Sequence, residues 1–171
     1  MNKLYTLIII IIFQSQAIAQ VDTVALQSIE GITDKMLELI SGPVGEERQW
    51  DEFRNLFLPT AQFTVMVNGR DGGKRARVMN LEQFVRDIGP AYARDGFEEY
   101  SLGLTVNEFN GIATAFQSYY CKNLIGTYEK RGINTYHLVH MNNRWWIAST
   151  MFTDESDDAP LPEKYLEENR R

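Results

Sequence analysis

The segment Arg131 to Phe152, RGINTYHLVHMNNRWWIASTMF, constrains the fold more than any other stretch of this chain. It reads as two long strands joined at Asn142-Asn143, because asparagine tolerates the left-handed backbone that a two-residue hairpin turn demands. Strand side chains alternate between faces. The register therefore places Asn134, Tyr136, Leu138 and His140 on one face with Trp145, Ile147, Ser149 and Met151. Thr135, His137 and Val139 fall on the other with Trp146, Ala148 and Thr150. Both faces carry bulk, so both need cover from helices, another sheet or a partner chain. The first face is expected to close a pocket.

The rest of the chain supports one domain around that hairpin. Its 171 residues are enough for one ordinary domain, and a hydrophobic share of 44% with 12% aromatics favours a packed core over disorder. A net charge of −6 argues against a phosphate-backbone partner, which needs a basic surface. Residues 1–19 read as a secretory signal peptide. Leu7 to Phe13 is unbroken apolar sequence, and Ala17-Ile18-Ala19 fits the small-x-small cleavage pattern. A retained membrane anchor is the rival reading. Cleavage removes Lys3 and leaves a charge of about −7. The expected destination is a periplasm or the cell exterior, with no stable membrane span after cleavage. Cys121 is the only cysteine, so no internal disulfide can form, and it falls in an apolar strand pattern. Residues 20–157 form the expected domain and 158–171 a C-terminal tail, which Leu161, Tyr165 and Leu166 can strap to the body.

Asp22 or Thr23 can cap a first helix, along which Ile29, Ile32, Met36, Leu37 and Ile40 make an apolar stripe up to Ser41-Gly42-Pro43. A second helix is expected over Glu46 to Phe57, stopped by Pro59, with Arg48 and Arg54 able to pair with Asp51 and Glu52 on its solvated side. Gln62 to Val67 alternates as a strand. Asn68 to Arg77 reads as a basic, glycine-rich hairpin tip rather than an anion site, although Arg70, Lys74, Arg75 and Arg77 are suitable cations. Asn80 with Gln83 is a capping box for a third helix, broken or kinked at Gly89-Pro90. Two long strands follow, Phe97 to Phe109 and Ile112 to Tyr128, joined at Asn110-Gly111, with Lys130-Arg131-Gly132 turning into the last hairpin. The fold class is α+β: three N-terminal helices packed in a strongly curved, mainly antiparallel sheet, a cone with a pocket near its open end.

Trp50 with Leu56-Phe57 and Ala61, Phe97, Gly111-Ile112-Ala113 leading to Tyr119, Arg131-Gly132-Ile133-Asn134 with Leu138, Trp145 with Ile147, and Pro162 before Tyr165 recur here in a recognisable order. In that order the chain, from about Asp22 to Tyr165, resembles the nuclear transport factor 2-like superfamily, which includes SnoaL-like polyketide cyclases, ketosteroid isomerases and scytalone dehydratases. The resemblance implies the cone with its pocket and, often, a homodimer. It does not imply an activity. The isomerases' catalytic aspartate falls near Val65, and no carboxylate occurs from Phe53 to Arg70. Thr60 stands where the family often has an aspartate in the preceding turn.

The pocket-lining candidates are Trp50, Phe53, Tyr119, Asn134, Tyr136, Trp145 and Ser149, with Gln117 able to join them. Hydrogen-bonding groups among aromatic rings suit a small apolar or aromatic ligand with some polar character, although a ligand-free polar network in the core fits them as well. Tyr136→Phe is expected to weaken ligand binding with little loss of folding. His137 and His140, three apart, point to opposite strand faces and cannot share a metal, so no metal and no cofactor is expected. Either could be a general base or a structural histidine. Glu98 and Glu99 begin a strand, and one of them must point inward; such a carboxylate with a raised pKa could serve as an acid or base, while fraying at the strand end would leave both solvated. Three readings follow. The chain is an exported small-molecule-binding or interaction domain, a cofactor-free dehydratase, isomerase or cyclase, or a structural dimer whose cavity its own side chains fill.

Overall fold

The computed structural model describes residues 24–69 and 72–166. The signal-peptide segment, the caps expected at Asp22 and Thr23, and Arg70 lie outside those residues. In chain order the elements are α1 (Ile29–Ile40), α2 (Trp50–Arg54), β1 (Phe57–Asn68), β2 (Lys74–Asn80), α3 (Leu81–Asp95), β3 (Phe97–Phe109), β4 (Ile112–Asn123), β5 (Glu129–Met141) and β6 (Arg144–Asp154). The architecture is α+β. One six-stranded sheet runs β2-β1-β6-β5-β4-β3. Only β1 and β6 pair in parallel; the other neighbours are antiparallel. α1 lies against β3, and α3 against β1 and β2.

The apolar stripe of α1 is buried, from Ile29 through Ile32, Met36 and Leu37 to Ile40. Its cap among the described residues is Ser28, whose Oγ accepts from the Gly31 amide. α3 opens with the capping box at Asn80 and Gln83, then continues through Pro90 to Asp95 instead of breaking there. Gly96 ends it at φ 63. Both asparagine-based hairpin turns form, Asn110-Gly111 at φ 47 and 82 and Asn142-Asn143 at φ 54 and 60.

Four expectations change. The second helix is five residues long rather than spanning Glu46 to Phe57, because Arg48 turns inward instead of pairing with Asp51 or Glu52. Arg48 is 6% exposed and donates to the carbonyls of Ile40, Gly42, Pro43, Glu46 and Tyr92. Those bonds tie the end of α1, the loop after it and α3 into one corner. Pro59 then belongs to β1, in the irregular stretch between Phe57↔Ile147 and Gln62↔Ser149, where a missing amide donor costs little. The basic segment from Lys74 onward is strand β2, and only its approach, with Gly69 bonded to Gly73, is a hairpin tip. β4 ends at Asn123 and not at Tyr128. The Asn123 Oδ1 accepts from the amides of Thr127 and Tyr128 and so closes a turn around Gly126 at φ 76.

The fourth change is a β-bulge in the last hairpin. His137 pairs with Ser149 but Leu138 pairs with Ile147, leaving Ala148 as the extra residue. An extra residue reverses the alternation beyond it. Trp145 and Ile147 are inward as expected, but Thr150 rather than Ser149 is then buried, and Met151 is exposed. The inward positions downstream become Phe152 and Asp154, opposite Asn134 and Gly132.

Candidate functional site

Between the helices and the sheet lies a cavity of about 380 Å³. Met36 and Ile40 of α1 and Phe84, Ile88 and Tyr92 of α3 form one wall. The sheet supplies Val65 of β1, Phe97 and Glu99 of β3, Tyr119 and Cys121 of β4, Asn134 of β5, and Phe152 and Asp154 of β6. Tyr128, in the turn after β4, completes the rim. Most of this surface is apolar, and its polar side chains include the hydrogen-bonded sets Glu99–Asn134 and Tyr119–Asp154–Tyr128. The filled-cone reading does not fit such a space.

Two carboxylates organise these polar groups. Glu99 shares its strand face with buried Phe97, two residues earlier, and therefore points inward, whereas Glu98 is exposed and pairs with Lys122 at 3.1 Å. The Glu99 Oε1 accepts from Asn134 Nδ2 at 2.8 Å, the only side-chain partner of this carboxylate among the described residues. Burial pushes the Glu99 carboxyl up to about 7; the Asn134 bond opposes the rise and the nearby charge of Asp154 adds to it. Asp154 accepts from Tyr119 Oη at 2.7 Å, and from Tyr128 Oη at 3.2 Å to each of its oxygens. Burial, and then the bond to Asp154, hold the Tyr119 phenol well above its ordinary range. Burial pushes the Cys121 thiol up to about 12, with the Glu99 charge adding to the rise, so this cysteine is a protonated lining group rather than a nucleophile.

A glycine makes the Tyr119–Asp154 bond possible. Tyr119, Gly132 and Asp154 stand in one row across β4, β5 and β6. A Cβ at Gly132 would collide with Tyr119 Oη and with the Thr153 carbonyl oxygen. The tyrosine thus reaches across β5 through the space that a side chain would fill.

Of the seven pocket candidates, the structure brings Tyr119 and Asn134 together in the cavity wall. Phe53 lies in the core, in a ring cluster with Phe57, Phe63 and Phe84. Trp50 covers Gly89, whose missing Cβ leaves room for the indole, and borders a shallow groove outside the cavity. Tyr136 is 1% exposed and donates to Gln117 Oε1 at 2.8 Å; Gln117 in turn donates to Asp34 at 2.9 Å. Trp145 is buried beside His140, with ring centroids 5.1 Å apart, and is not part of the wall. Ser149, turned outward by the bulge, bonds His137 Nδ1 at 2.9 Å. Neither histidine enters the cavity, and no group of three or more potential metal ligands occurs among the described residues. Glu98 and Glu99 are equivalent candidates in the sequence until parity with Phe97 marks Glu99 as the inward member. Asp154 is not among the expected pocket residues, since the bulge that turns it inward leaves no mark in the sequence.

A six-stranded sheet of this order, wrapped over α1 and α3 around a cavity, has solved counterparts. This is the nuclear transport factor 2-like fold. A proposed scytalone dehydratase from Novosphingobium aromaticivorans aligns over 83% of this chain and 92% of its own, with a TM-score of 0.60 and 9% identity. A proposed dehydratase of the NTF2-like family from Streptomyces avermitilis aligns over 78% and 98%, with a TM-score of 0.57 and 9% identity. A protein of unknown function with a cystatin-like fold from Nostoc punctiforme aligns over 77% and 90%, with a TM-score of 0.55 and 10% identity. At these identities the likeness is one of fold. A scan against protein-family models found no match, and neither did a search of curated proteins. In this nuclear transport factor 2-like fold, the chain's polar groups come from β3 to β6 and the turn after β4, while Val65, where the isomerase aspartate was sought, adds an apolar surface.

Proposed function

We propose that this chain binds a small, mostly apolar organic molecule in the cavity and that Glu99 moves a proton on it, as in a dehydratase or isomerase. One observation carries the reading. Glu99 is an inward carboxylate, poised at about 7 and held by the neutral amide of Asn134, in the wall of an apolar cavity large enough for a ligand. A carboxyl group with that pKa is populated in both protonation states near neutral pH. It can therefore take a proton from carbon and return one to a leaving hydroxyl or to a neighbouring carbon. Asn134 orients it. Tyr119 and Tyr128 can give hydrogen bonds to a ligand oxygen only by releasing Asp154, so they serve first to fix that carboxylate. The names of two fold neighbours, both proposed dehydratases, are consistent with this chemistry. In the same reading the apolar run at residues 7–13 is an export signal, and the proposed activity lies outside the cytoplasm.

The test is proton exchange. The mature chain is incubated in deuterated buffer with a panel of small hydroxy-carbonyl compounds, and deuterium uptake at the carbon beside the carbonyl is followed by NMR. The expected result is uptake that falls by about a hundredfold or more in Glu99→Gln. Equal uptake by wild type and variant would remove Glu99 from the chemistry. Native mass spectrometry of the purified chain for a retained small molecule supplies the first members of the panel.

The binding-module reading has one observation of its own. The Tyr119–Asp154–Tyr128 cluster is already satisfied internally, as expected of a rim that shapes a site rather than reacts.

A further inference from the structure

Among the described residues, the walls of the cavity carry carboxylates and aromatic rings but no lysine, arginine or histidine, whereas Asp95, Glu99 and Asp154 all contribute. Asp95 is neutralised locally, each of its oxygens accepting from Arg94 at 2.6 Å. Glu99 and Asp154 are not. Their partners are the amide of Asn134 and the phenols of Tyr119 and Tyr128, all neutral. Lys74 and Lys130 line an adjoining depression with Asp154, Glu155 and Asp157. Glu155 is already paired with Arg131 at 2.7 Å, so two carboxylates stand against two ammonium groups there and the approach to the cavity favours neither sign. Negative charge facing a low-dielectric space without a counter-charge is costly to the empty protein, which is why Glu99 keeps its proton up to about neutral pH, and an entering cation favours the ionised form. Tyr92, Phe97, Tyr119 and Phe152 add aromatic rings to the lining, and an organic ammonium is attracted to ring faces.

We infer that the ligand of this cavity is an organic cation, an apolar or aromatic body bearing an amine whose charge sits at the Glu99–Asp154 end. The inference rests on the ligand reading given above and names the substrate class. It excludes carboxylic acids and phosphates, for which the wall offers no lysine or arginine among the described residues.

Three probes of one shape decide it: naphthylethylamine, naphthylethanol and naphthylacetate, titrated into the mature chain by calorimetry at neutral pH. The amine is expected to bind about tenfold or more tighter than the alcohol, and the acid more weakly still. In the double variant Glu99→Gln with Asp154→Asn, checked for folding by circular dichroism, the amine and alcohol should bind alike. If the alcohol or acid binds as tightly as the amine in the wild type, the inference is overturned. The same follows if none of the three binds saturably, or if the double variant keeps the preference. The two readings fail separately. Amine preference with no ligand proton exchange keeps the cation and loses the acid–base role of Glu99. Exchange on neutral ligands with no amine preference does the reverse.

Discussion

Glu99→Gln should stabilise the protein at alkaline pH, and the size of the gain follows from the site. An ordinary glutamate titrates at 4.5, and burial in the cavity wall moves Glu99 to about 7. Between those values the folded state holds a proton that the unfolded state has lost. Stability therefore falls as pH rises through this window, is penalised in full above about 7, and is unpenalised below 4.5. At about 1.4 kcal/mol per pH unit, the full penalty is about 3 kcal/mol. Glutamine keeps the shape and the oxygen that accepts from Asn134 but cannot ionise, so the variant escapes the penalty. Urea unfolding followed by tryptophan fluorescence, from pH 4 to pH 8 in steps, gives the difference between variant and wild type directly. Comparing the two removes the titration of every other carboxylate. The expected difference is near zero at pH 4 and reaches roughly 2–3 kcal/mol in favour of the variant at pH 8. A difference that stays flat across the range would show that Glu99 is hydrated like a surface residue, and the acid–base proposal would fall with it.

Other parts of the frame make separate predictions. Gly132→Ala forces a Cβ against the Tyr119 hydroxyl and the Thr153 carbonyl oxygen, and buried Tyr119 has nowhere to swing; the expected loss is about 2–4 kcal/mol in urea unfolding. A loss below about half a kcal/mol would mean that the β4–β5–β6 row is loosely packed. Arg48→Lys replaces a fork of donors serving five carbonyls with one ammonium and should cost about 2–4 kcal/mol, read as a lower thermal midpoint; a midpoint like that of the wild type would argue against the corner described here. Tyr136→Phe, expected from the sequence to weaken binding, should instead leave binding unchanged and cost about 1–3 kcal/mol of stability, because Gln117 Oε1 loses its donor in the core. Calorimetry against any ligand of the cavity together with urea unfolding separates the two outcomes.

Local chemistry was enough to make much of the frame legible in the sequence. The α1 stripe, the Asn80–Gln83 box and the two asparagine turns depend on periodicity and on backbone preferences of single residues, and those act over a few positions. The order of the motifs was likewise sufficient for the fold. The site was legible only in part. Tyr119 and Asn134 follow from strand alternation, and Glu99 could have been singled out by its parity with Phe97. Tertiary structure alone decided the rest. A single extra residue at Ala148 exchanges Ser149 for Thr150 at the inward position and delivers Asp154 to the cavity. A buried guanidinium shortens the second helix, because its best partners are carbonyls from three separate segments. Bulge placement and long-range hydrogen bonding are set by competition between whole arrangements of the chain. No window of neighbouring residues contains both competitors, and so the sequence alone left the chemistry of this pocket open.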